Sequence, residues 1–193
     1  MRRALTSLVL ALAACGHAPP PAAPVIAAPV PADDGIEVLE LTAQPALARE
    51  IRAQPAALAD ELGGAIFGLI ATAKLSGADP AGPPFARYES RGTAADPTMV
   101  VLAGLPIVRA PDTLPEGATV IELPAGPAAA IVHVGRHEDL GQAHAALDAW
   151  LVAHHRQAAG PRWEVFLTNP MTTPDPAQQR TKVFAPLAPE ARP

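Results

Sequence analysis

The chain has 193 residues, a formal net charge of −5 and a single cysteine. This acidic balance argues against non-specific nucleic-acid binding, which needs a basic surface, and the chain has neither a helix-turn-helix pattern nor zinc-ligand spacing. One cysteine excludes an intrachain disulfide framework.

At the N-terminus, Arg2 and Arg3 precede an apolar run from Ala4 to Ala14. A basic start, a short apolar stretch and small residues at its end describe a secretory signal. The run is too short to cross a bilayer as a helix. It closes on Leu12-Ala13-Ala14-Cys15, which resembles the lipobox of bacterial lipoproteins. The resemblance implies cleavage after residue 14, acylation of Cys15 and a protein held on a membrane through that lipid, in the cell envelope. Gly16 stands where some bacteria place an acidic retention residue, which points toward the outer membrane. The alternative is a plain secretory signal with Cys15 as an ordinary residue. Once acylated, Cys15 leaves no free thiol for catalysis.

Residues 15–34 form the lipidated end and a tether. From Ala18 to Asp34 proline recurs at high density, which favours an extended polyproline II spacer of about 3.1 Å per residue. Residues 35–187 are enough for one domain with its own core, and 188–193 form a tail.

Within the domain two segments share one order of elements. Glu40-Leu41 and Pro45 match Glu122-Leu123 and Pro127, Leu58 and Leu69 match Leu140 and Leu151, and Phe85–Tyr88 match Trp163–Phe166. Each copy reads strand, turn, strand, helix, strand, strand. In the first copy, strands are predicted over Ile36–Thr42 and Ala46–Arg52, and Pro55 opens a helix, where its missing N–H costs nothing. Leu58, Leu62, Ile66, Leu69 and Ala73 form the apolar stripe of that helix. Strands follow near Pro84–Ser90 and Thr98–Leu105. Gly63-Gly64 inside the helix costs about 1 kcal/mol per glycine. It reflects either a close approach of the helix to the sheet or a ligand, or a tolerated weakness.

In the second copy, strands are predicted over Thr119–Leu123 and Ala128–Val134. Glu138 and Asp139 place acid in the first turn of a helix, where the dipole favours it. Leu140, Ala143, Leu147, Trp150, Leu151 and His154 share one face of that helix. Strands follow near Arg162–Thr168 and Arg180–Ala185. One copy is too small to bury its own core, and two together close one, giving an α+β fold of duplicated β-β-α-β-β units.

Glu122-Leu123-Pro124-Ala125-Gly126-Pro127, His133-Val134-Gly135-Arg136-His137, Trp163-Glu164-Val165-Phe166 and Arg180-Thr181-Lys182-Val183-Phe184 together resemble the GyrI-like small-molecule-binding family, over roughly residues 36–187. The resemblance implies paired strand-helix-strand-strand units about a pseudo-twofold, with a ligand groove between them. It also implies a groove carboxylate at Glu164. The family's tyrosine two residues on is Phe166 here, and its His-x-Gly-Pro-Tyr turn keeps His133 and Gly135 but has Arg136 and His137 in the last two places.

Strand alternation checks that assignment independently. Trp163, Val165 and Leu167 share one face, expected to pack on a helix, and Glu164, Phe166 and Thr168 share the other. A carboxylate beside Phe166 and between Trp163 and Val165 needs a partner, either a ligand or a structural ion pair. Tyr88, the only tyrosine, occupies the first-copy position of Phe166, which would set the two rings across the groove. Ala86 holds the first-copy position of Glu164, so the site is expected to carry one charge. On the strand after Tyr88, Met99 and Val101 are a groove lining or plain core. His133 is the remaining candidate contact.

No metal site is expected: the helical histidines His144, His154 and His155 show no i, i+4 pairing, and no acid or cysteine cluster completes a set. No Gly-rich phosphate loop, Gly-x-Ser-x-Gly elbow or carboxylate pair appears, and no cofactor is expected. The function expected is a membrane-anchored binder of apolar, cationic small molecules, for sequestration or for sensing with another envelope protein and without nucleic acid. The alternatives are a small-molecule hydrolase with Glu164 as base, and haem binding through His133 or His137, since SOUL-type haem binders share the implied fold.

Overall fold

Short side chains beneath the helices and aromatic side chains on the opposite face set the form of this sheet. The computed structural model describes residues 30–31 and 35–189. Its elements are β1 (Val30–Pro31), β2 (Ile36–Leu41), β3 (Gln44–Ala53), α1 (Leu58–Ser76), β4 (Phe85–Ser90), β5 (Met99–Pro106), β6 (Thr119–Leu123), β7 (Gly126–Val134), α2 (Gly141–Ala153), β8 (Trp163–Phe166) and β9 (Arg180–Pro186). The signal segment 1–14, Cys15 and the tether up to residue 29 lie outside the described residues, as do 32–34 and 190–193.

The fold is α+β, with one curled nine-stranded sheet in the order β1-β2-β7-β9-β8-β4-β5-β3-β6. All its pairings are antiparallel. Apart from β1, the order reads the same from either end when β2 is exchanged with β6, β3 with β7, β4 with β8 and β5 with β9. The first strand of each half is traded: β2 pairs with β7, and β6 pairs with β3. At the centre β4 lies beside β8, with Ala86 directly opposite Glu164.

Both helices pack on one face of this sheet. Under α1, the buried stripe Leu58, Leu62, Ala65, Leu69 and Ala73 meets Leu47, Ile51, Val101 and Ala103. Under α2, Leu140, Ala143, Leu147, Trp150 and Leu151 meet Ile36, Ala129, Val183 and Ala185. Each large apolar side chain removed from water contributes about 1.5–3 kcal/mol. The opposite face gathers Phe85, Leu123, Trp163 and Phe184, with Trp163 stacked on Phe184 at 5.2 Å between ring centres.

This corrects the expectation for β8. Its helix-side face carries Glu164, and Trp163 and Val165 face away from the helices. Close helix approach requires short side chains beneath, and Ala86, Ala103, Ala129 and Ala185 supply them. Phe85, Trp163 and Phe184 fill the other side. Gly104 makes room there: a Cβ at that position would stand 2.0 Å from Cζ of Phe85.

The helix starts also shift. Residues 55–57 form a turn, closed by the Ala57 N–H donating to the Gln54 carbonyl at 3.0 Å, and α1 begins at Leu58. A single 3-10 turn, His137–Leu140, holds Glu138 and Asp139 ahead of α2. His154 caps α2, and His155 lies beyond the helix at φ 53°. Gly63 and Gly64 face open space, with nothing within 4 Å of a built Cβ, so no close approach accounts for them. Among the described residues no helix is long and apolar enough to cross a membrane.

Candidate functional site

The central strand pair places Glu164 on the helix side of the sheet, where its neighbour Ala86 leaves room for a longer side chain. The residue is 2% exposed. From β4, two positions beyond Ala86, the Tyr88 hydroxyl donates to Glu164 Oε2 at 2.9 Å. From α2, Nε2 of His144 meets Oε1 at 2.8 Å. A carboxylate can only accept, so this bond assigns the imidazole proton to Nε2. His137, on the turn before α2, brings Nε2 to 3.9 Å from Oε2.

A second layer fixes these groups. Arg162 donates through Nη1 to the His144 carbonyl at 3.2 Å and pairs through Nη2 with Asp148. The Tyr88 backbone N–H donates to the Arg162 carbonyl at 3.1 Å. Burial, with the Glu164 charge as a second cause, pushes the Tyr88 hydroxyl far above the usual tyrosine range, and Arg91 opposes this. Tyr88 is thus held as a neutral donor.

Arg91, just past β4, roofs the site. Its guanidinium lies 4.9 Å from the centre of the Tyr88 ring. Its Nη2 is 3.4 Å from His144 Nδ1 and 3.3 Å from Nε2. A point that near to both nitrogens in the ring plane would overlap the carbon between them, so Nη2 sits over the ring face. Together these residues line an open cavity of about 400 Å³, with apolar wall from Leu58, Met99 and Leu140. The arrangement offers a carboxylate sheltered from water, an aromatic face and an adaptable methionine, which suits an apolar molecule with a charged or hydrogen-bonding group.

Of the residues predicted from sequence, Glu164, Tyr88 and Met99 line this cavity, as does His137, named for the haem alternative. Phe166 shares the face of Glu164 but packs against the α1 core, with its ring 5.8 Å from that of His137. Val101 is fully buried under α1. His133 lies outside the cavity, with Nε2 at 3.0 Å from the Arg136 carbonyl. His144, Asp148 and Arg91 enter the lining without having been singled out. The first two had a signal, because they follow Leu140 at i+4 and i+8 and so lie along one line of α2. Among the described residues no group of three or more His, Cys, Asp or Glu is arranged to hold a metal ion.

The model of the GyrI-like small molecule binding domain matches residues 65–188. The chain belongs to the GyrI-like family. The match begins inside α1, later than the resemblance read from sequence, and leaves out β2 and β3. No curated protein matches the chain. Among solved structures, the GyrI-like domain is similar to the EcmrR C-terminal domain, with 14% identity, 79% of this chain and 96% of that chain covered, and a TM-score of 0.69. In an EcmrR–DNA complex it spans 56% of the EcmrR chain, at 15% identity and TM-score 0.68, with 79% of this chain covered. It is also similar to a hydrolase from Listeria innocua, with 13% identity, coverage of 80% and 92%, and a TM-score of 0.61. A third neighbour is SAV2435 bound to tetraphenylphosphonium, with 9% identity, coverage of 79% and 93%, and a TM-score of 0.56. At these identities the likeness is one of fold.

Proposed function

We propose that this GyrI-like domain binds apolar, cationic small molecules in the cell envelope, held to a membrane by a lipid on Cys15. The observation that carries the reading is the Glu164 carboxylate, 2% exposed at the base of the cavity. Its close partners Tyr88 and His144 both donate hydrogen bonds to it and hold the carboxylate in place facing the cavity. The Tyr88 ring offers a flat cation a π face, and Met99 offers it a thioether contact. A lipophilic cation occupies a protein of the same fold, SAV2435. The lipobox-like run before Cys15 supports the anchor. Sequestration, or sensing by contact with another envelope protein, is the use this reading assigns to the domain.

Calorimetric titration with tetraphenylphosphonium tests the site. Glu164→Gln should weaken binding by about tenfold or more, or about 1.4 kcal/mol. Equal affinity in the variant overturns the role of the carboxylate. Cys15→Ser should move the protein from the membrane to the soluble fraction.

A second reading is favoured by the hydrogen-bonded chain Tyr88–Glu164–His144. Glu164 would act as a general base on water attacking an electrophilic small molecule, with His144 and Tyr88 holding its orientation. The fold is shared with the Listeria innocua hydrolase. Turnover of such a molecule, lost in Glu164→Gln while binding persists, would establish it.

A further inference from the structure

The charges around the cavity are not matched. Glu164 accepts hydrogen bonds from Tyr88 and His144, and Asp148 is paired with Arg162. Arg91 is different: among the described residues its side chain meets only the faces of Tyr88 and His144, and it forms no ion pair. Its backbone explains its position. The β4–β5 register slips between Tyr88 and Ser90, and Gly92 follows at φ 71°, where a Cβ would stand 2.6 Å from the Pro97 carbonyl carbon. The chain therefore turns sharply and presents Arg91 over the site.

One imidazole separates two opposite charges. Nε2 of His144 is 2.8 Å from the Glu164 carboxylate and 3.3 Å from the Arg91 guanidinium. The negative group is buried and the positive one is exposed. A simple cation that approaches Glu164 meets the like charge of Arg91 at the mouth. A simple acid finds Arg91 but then faces the buried carboxylate. A molecule that carries both charges satisfies both groups.

We propose that Arg91 is the specificity-determining residue of the cavity, and that the preferred ligand class is zwitterionic: an apolar, aromatic cation that also bears a carboxylate or comparable acid. The cationic body lies toward Glu164 and Tyr88, and the acid pairs with Arg91 at the rim. This rests on the reading that Glu164 receives a cation. A guanidinium suits the role because it holds a carboxylate by two parallel hydrogen bonds.

The test compares two dyes on one scaffold by fluorescence anisotropy: tetramethylrhodamine with its free carboxylate, and its ethyl ester, a pure cation. The acid form should bind about tenfold more tightly than the ester, and the preference should shrink as salt rises. Arg91→Gln should erase the preference by weakening the acid, and Arg91→Lys, which keeps the charge but not the two-bond fork, should keep only part of it. If the ester binds as tightly as the acid and both depend on Glu164, the zwitterion preference is overturned and the cation site stands. If the acid is still preferred in Arg91→Gln, with the fold unchanged by circular dichroism, the assignment to Arg91 is overturned. If neither dye binds, or Glu164→Gln affects neither, the binding reading falls and this inference falls with it.

Discussion

Tyr88 donates its hydroxyl to the Glu164 carboxylate at 2.9 Å, from the strand directly beside β8. Burial and the adjacent negative charge hold that phenol protonated well above the ordinary tyrosine range of about 10. The folded state thus keeps its proton more tightly than the unfolded chain. The linked stability is complete below about pH 10 and is lost as pH rises beyond it. Tyr88 is the only tyrosine, so phenolate absorbance reports on this one group. It should appear together with loss of tertiary structure in an alkaline titration. Ionisation in a protein that is still folded would contradict this.

His144 supplies the other donor to Glu164. His144→Ala leaves Oε1 buried without it and should cost about 1–3 kcal/mol in urea unfolding. His144→Gln can still donate through its amide and should recover part of the loss. Equal losses in the two variants would show that packing, and not the hydrogen bond, is what the imidazole provides.

Gly104 and Phe85 are cross-strand neighbours on the helix-free face. With a Cβ placed 2.0 Å from the Phe85 ring, Gly104→Ala should destabilise by about 2–3 kcal/mol through overpacking. Phe85→Leu creates a cavity by itself but should relieve the clash in the double variant. A double-mutant cycle should therefore show strong coupling, whereas additive losses would place the strain elsewhere.

Gly63 is exposed on α1, with open space where its side chain would be. Gly63→Ala should stabilise the protein by about 0.5–1 kcal/mol and raise Tm by roughly 1–4 °C. A lower Tm would point to a contact made by that helix face.

Alternation and apolar stripes were enough to place β2 to β9 and both helices to within a few residues, though not β1, and a carboxylate set among Trp163, Val165 and Phe166 marked the centre of the sheet. Alternation reports which residues share a face, not which face meets a helix, so the surroundings of Trp163 came out inverted. The alanines at 86, 103, 129 and 185 bear on that choice, because short side chains at the centre of the sheet let the helices approach. Along α2, the spacing of Leu140, His144 and Asp148 held the missing half of the site. Arg91 had no such signal. Its place depends on a register slip between β4 and β5 that no local pattern in the chain announces.

The traded first strands carry a mechanical consequence. Val30 is paired to β2, and β2 is hydrogen-bonded to β7, which lies under α2. Traction applied at Val30 therefore enters the half of the domain that follows later in the chain. The two residues that join β2 to β3 pass the same pull along the chain to the strand beneath α1. A pull at Val30 is therefore divided between the two walls of the cavity at the first strand it meets.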